Sequence, residues 1–123
     1  MTEHTLLLRQ IHPTFIQKGI VSSQAFRPTE EDLKLSVYDG DLIEPEPAWK
    51  HYTTELQKES AAVLAVSVAE CASLDLPASP SPEVFREHCD IDFTGLAPRK
   101  IESKGRLLRD RAVIRGFLFQ AMA

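Results

Sequence analysis

The side chains in this 123-residue chain best suited to hold a soft metal are its histidines and two cysteines. A zinc cage needs four such ligands, delivered as closely spaced pairs. His12, His51, His88, Cys71 and Cys89 do not meet that pattern, since no CxxC or HxxxH pair occurs. His88 and Cys89 are adjacent, so on a strand they face opposite sides. No metal is expected. Asp39-Gly40-Asp41 has the form of a carboxylate pair that could chelate a hard cation. Asp-Gly is also ordinary turn chemistry after an alternating stretch, and no Gly-rich phosphate loop accompanies it. Ser22 and Ser23 are possible nucleophiles with His12 as base if the first two strands pair, but they do not lie in G-x-S-x-G.

A different grouping carries more chemistry. Arg9, Ser22 and Glu70 follow an order similar to the Arg, Ser, Glu order of small ADP-ribosyltransferase-like domains. The resemblance implies that Arg9 binds the pyrophosphate of NAD, Ser22 supports the nicotinamide site and Glu70 holds the ribose. The middle motif departs from that pattern, reading Ser-Ser-Gln instead of Ser-Thr-Ser. A longer stretch, "GIVSSQAFRPTEEDLKLSVYDGD" followed by "AW" and "VAEC", resembles a group of short uncharacterised bacterial proteins. That resemblance implies a bacterial stand-alone domain and brings no activity with it.

The net charge of −4 hides an uneven distribution: from Arg99 to Arg115 there are seven Lys or Arg against two acids. On a helix, Lys100, Lys104, Arg111 and Arg115 fall within about 60° of one another. Such a stripe can face an anion or lay its stems over the protein's own core edge. No interleaved aromatics or RNA-binding signature accompany it, so nucleic acid is not the expected partner.

These side chains must be positioned by elements, and the spacing predicts several. "TLLLRQI" reads as a strand stopped by His12-Pro13. "PTFIQKG" predicts one helical turn closed by Gly19, and "IVSSQAF" an extended segment. Thr29 to Asp32 has capping-box spacing and predicts a short helix. "LKLSVYDGD" predicts a strand ending in a type I′ turn at Asp39-Gly40. Pro47 opens a helix whose apolar face is Trp49, Tyr52 and Leu56. "VLAVSVAE" reads as a central strand, "DLPASPSPE" as a loop, and Ser81-Pro82-Glu83 as the start of a helix through His88. "CDIDF" alternates as a strand. Residues 98–115 predict a long helix weakened at Gly105 and stopped by Gly116, followed by a short strand or tail in "FLFQ".

The sum is an α+β chain, one small domain over residues 1–123, with a mixed sheet of about five short strands and three or four helices. Apolar content of 43% is enough for one core. No apolar run reaches membrane-spanning length and no secretory leader is legible, so a cytoplasmic location is expected. Cys71 and Cys89 are expected to be reduced. The function these features favour is a small binding domain for another protein or an acidic ligand, without a cofactor. The alternatives are the NAD-binding enzyme and, from size and acidic balance, an immunity or antitoxin-like protein.

Overall fold

The computed structural model describes residues 1–122. Its frame is a six-stranded sheet made of β1 (Leu6–Ile11), β4 (Lys34–Asp39), β5 (Ala62–Ser67), β6 (Ala78–Pro80), β7 (His88–Asp92) and β8 (Phe119–Gln120). The spatial order is β6-β7-β4-β1-β5-β8, with antiparallel pairing throughout. A separate hairpin joins β2 (Ile16–Gln17) to β3 (Ile20–Val21). Three helices complete the α+β fold: α1 (Pro45–Lys50), α2 (Val68–Ala72) and α3 (Pro98–Arg115).

Both faces of the sheet are covered, which explains why the inner strands are apolar at successive positions and not only at alternate ones. Leu7, Ile11, Leu35, Val37, Leu64 and Ile91 pack on one face with Phe26, Leu108 and Ala112. Leu8, Tyr38, Val63 and Ala65 pack on the other with Ala48, and Trp49, Tyr52 and Phe119 lie against them. The Trp49 indole N–H donates to the Ser60 carbonyl at 2.8 Å, so the ring packs without stranding its polar end.

The long helix is continuous through Gly105, which is buried and marks a close approach instead of a break. A Cβ there would lie 2.6 Å from Cγ of Arg27 and 3.1 Å from the Phe26 carbonyl oxygen. The strands expected from "TLLLRQI", "LKLSVYDGD", "VLAVSVAE" and "CDIDF" are present, but the third ends at Ser67: Val68, Ala69 and Glu70 belong to α2, because Ser67 and Glu70 form a capping box that starts a helix there.

Other expectations are corrected, each for a local reason. Thr29 starts no helix: Leu33 N–H closes a turn on Glu30 O, and Asp32 accepts from Lys34 N–H. Asp favours such a turn as readily as a cap. Ser81 starts no helix either, because its hydroxyl is engaged with His88 and Asp90 across the β6–β7 pair. β6 itself arises inside the proline-rich loop, where Pro is tolerated because the strand is an edge. Gly19, at φ 77°, serves the β2–β3 turn and not a helix end. After β3 the chain tightens into a 3₁₀ turn at Ser23–Phe26. Gly40 forms no hairpin: its N–H donates to Leu6 O, and a Cβ would stand 2.5 Å from that oxygen. The helix expected at Pro47 begins at Pro45 and continues as a π-turn over His51–Glu55, closed by Leu56 N–H on His51 O.

Candidate functional site

The three residues in ADP-ribosyltransferase-like order do not converge. Ser22 caps the 3₁₀ turn, its Oγ accepting from Gln24 N–H. Glu70 completes a capping box at the start of α2, where its Oε1 accepts from Ser67 N–H at 2.7 Å and Ser67 Oγ accepts from Glu70 N–H. The same oxygen accepts from Arg115 Nη1 at 2.8 Å, and Arg115 also donates to Ala65 O. Arg115 and Glu70 thereby cover the part of the β5 edge that two-residue β8 leaves unpaired. Burial pushes the Glu70 carboxyl up, but hydrogen bonds from Arg115 and the Ser67 backbone outweigh it and hold it below the ordinary value. Arg9 lines a cleft that neither Ser22 nor Glu70 reaches.

The basic stripe is divided by the fold. Lys104 donates to the Leu74 carbonyl and Arg115 closes the sheet edge, while Lys100 and Arg111 face solvent. Among the described residues no three His, Cys, Asp or Glu side chains gather as a metal site. Asp39 and Asp41 are joined by an Asx turn, with Asp41 N–H donating to Asp39 Oδ1. Cys71 and Cys89 are buried free thiols, each pushed up to about 12 by burial. Ser81, His88 and Asp90 have the composition of a catalytic triad without its order. Ser81 sits between the other two, and both Ser81 and His88 are under a tenth exposed. The one hydroxyl proton, donated to Asp90, leaves Ser81 Oγ to accept from His88 Nδ1–H. That arrangement locks β6 to β7. His12 caps a 3₁₀ turn, and His51 Nδ1 meets the Tyr38 hydroxyl at 2.7 Å.

A site of a different kind forms where β1 and β4 part. Their register is Leu7↔Asp39 and Leu8↔Tyr38, and the ladder stops there. Past this point Arg9 reaches across, its Nη1 donating to Ser36 O at 2.9 Å and its Nε to Ala25 O at 2.8 Å. The gap is a cleft of about 200 Å³. Four cations line it: Arg9 from β1, Arg27 from the end of the 3₁₀ turn, Lys34 at the start of β4, and Lys58 after the π-turn. Glu30 is the one acid in the lining, and Tyr52 forms part of the wall with Lys58 Nζ 5.7 Å from its ring centre.

The electrostatics of this cleft are unbalanced. No carboxylate of the described residues pairs with Arg9, Lys34 or Lys58, although Asp92 lies opposite Lys34 in the β4–β7 register. Arg27 Nη1 is 3.8 Å from Glu102, while its Nε is buried with no hydrogen-bond partner among the described residues. Burial draws Arg9 down to about 10, which still leaves it charged at neutral pH. Gln10 is only 6% exposed, and neither its amide oxygen nor its amide nitrogen has a hydrogen-bond partner among the described residues. Leu33 and Gln57, the residues immediately before the two cleft lysines, both hold left-handed backbone at φ 54°. Non-glycine residues adopt that region at a cost; here each sits at a hydrogen-bonded turn, Leu33 N–H on Glu30 O and Lys58 N–H on Tyr52 O, that sets the lysine after it.

Comparison with protein-family models, curated proteins and solved structures finds no match to this chain. The chemistry therefore rests on the cleft itself: unsatisfied N–H donors and excess positive charge in a recess, an arrangement suited to an oxyanion. Arg9 was a candidate from the sequence; Gln10, Arg27, Lys34, Tyr52 and Lys58 were not. They come from four separate segments, so no local motif joins them. One signal was available. Arg9-Gln10 are consecutive polar residues inside an otherwise apolar strand buried on both faces, an arrangement that calls for partners neither face supplies.

Proposed function

We propose that this protein is a binding domain for a small anionic ligand, held in the cleft between β1 and β4. The observation that carries the reading is Arg9: a partly buried guanidinium, uncompensated by any carboxylate, braced by two backbone carbonyls and opening on a cleft with three further cations. Two of its five donors are committed to the protein, which leaves three that can meet an oxyanion. The resemblance of the Gly19–Asp41 stretch to short bacterial proteins supports a bacterial setting for this module. Among the described residues no helix is long and apolar enough to cross a membrane. What supports binding over NAD-consuming catalysis is that Arg9, Ser22 and Glu70 stand apart, the last two with hydrogen bonds that explain their presence.

The test is thermal unfolding in phosphate or sulfate against chloride at matched ionic strength. A ligand at about 100 times its Kd adds about 2.7 kcal/mol of stability, a shift of several degrees for a chain of this size. The rise is expected in the native protein and should shrink in Lys34→Gln and Lys58→Gln, whose side chains are exposed and carry little of the fold. Equal unfolding temperatures in all three salts would refute the reading.

A further inference from the structure

The composition of the cleft narrows the ligand further, resting on the reading just given. Of the four cations, Arg27 has Glu102 beside it and Lys34 has Asp92 opposite, while Arg9 and Lys58 pair with no carboxylate of the described residues, which suits a group carrying close to two negative charges at neutral pH better than a single carboxylate. A phosphate monoester has that charge and three acceptor oxygens. The Gln10 amide adds a second requirement. Its N–H groups can be met by an oxyanion, but its carbonyl oxygen is an acceptor and needs an O–H or N–H from the ligand. Thr29 and Glu30 at the rim offer the same complement to a hydroxyl. Gln10 lines the cleft with both amide atoms buried and unpartnered among the described residues, so taking a ligand group requires its side chain to turn. Size sets the third limit. A cleft of about 200 Å³ is below the roughly 300 Å³ at which pockets for drug-sized ligands begin. It accommodates a phosphate and a few hydroxylated carbons.

We infer that the ligand is a hydroxylated phosphate monoester of sugar-phosphate type, its phosphate taken by Arg9, Arg27 and the two lysines and a hydroxyl taken by Gln10. Other candidates in the molecule carry less. A larger recess, between the β2–β3 hairpin and the end of α3, is mostly apolar, with Ile20 71% and Ile114 84% exposed, but nothing identifies its occupant.

Calorimetric titration with n-propyl phosphate and glycerol 3-phosphate separates the two requirements, because these esters share a carbon count and differ by two hydroxyls. Glycerol 3-phosphate is expected to bind about tenfold or more tightly, as befits satisfying a buried acceptor. In Gln10→Leu the two affinities should converge, with the propyl ester still bound. Lys58→Gln should weaken both esters by the same factor. Adenosine 5′-monophosphate serves as a third ligand: binding as tight as that of glycerol 3-phosphate assigns the ester to a nucleotide, and failure to bind assigns it to a free sugar phosphate. Equal affinity of the two short esters for the native protein would overturn the hydroxyl assignment while leaving the anion site intact. No binding of either would overturn both.

Discussion

A buried amide without a partner weighs against stability by about 1–3 kcal/mol. Gln10→Leu removes that amide at nearly constant volume beside an apolar core, so it is expected to stabilise the ligand-free protein by roughly 1 kcal/mol while impairing ligand binding. A structural glutamine would behave oppositely, and denaturant unfolding of the two proteins distinguishes them. Glu70 has the reverse character, since its hydrogen bonds to Arg115 and Ser67 hold its pKa below the ordinary 4.5. For a carboxyl with a depressed folded pKa, the stabilisation is complete above the unfolded value and is lost as pH falls through the folded one. Glu70→Gln should therefore lower stability at neutral pH and flatten its fall below about pH 4.5, as read from unfolding midpoints at stepped pH. At this scale the sequence was misleading in a consistent way. Ser22, Ser81, His12 and Glu70 are residue types that serve both chemistry and capping, and in each case local backbone, a neighbouring strand or, for Glu70, also Arg115 of α3 engages the polar atoms.

Among the elements, α3 positions the cleft from behind through Gly105. Replacing that glycine by alanine raises helix propensity by about 1 kcal/mol, but the new Cβ would stand 2.6 Å from Arg27 Cγ and 3.1 Å from a backbone oxygen. Overpacking of this kind costs about 1–3 kcal/mol, so the contact outweighs the propensity. Gly105→Ala is expected to destabilise and, by displacing Arg27, to weaken anion binding; chemical denaturation and calorimetry report the two effects separately. The four main strands and α3 were legible because their periodicity is set by burial on the sheet faces. The expected helices at Thr29 and Ser81 fail because cap-like spacing is shared by Asx turns and cross-strand hydrogen bonds. The π-turn over His51–Glu55 leaves no mark in the apolar spacing of Trp49, Tyr52 and Leu56, yet it helps deliver Tyr52 and Lys58 to the cleft.

Across the whole molecule, an acidic chain of net charge −4 keeps a cationic recess between β1 and β4. The charge excess visible in the sequence, on residues 99–115, lies on α3, where part of it serves the protein's own backbone; the excess in the cleft is assembled from distant segments and is invisible to a linear count. Anion binding should weaken with salt, since the rim lysines are exposed. It should also fall as pH rises through about 10, where Arg9 loses its proton. Titration of isotope-labelled protein with inorganic phosphate, followed by NMR, tests the central claim most directly. The expected result is saturable shifts of the Arg9 Nε–H and the Gln10 side-chain amide, with the backbone amides of Lys34 and Lys58 moving in step. Unmoved cleft resonances, or saturable shifts confined to Lys100 and Arg111 on α3, would contradict it.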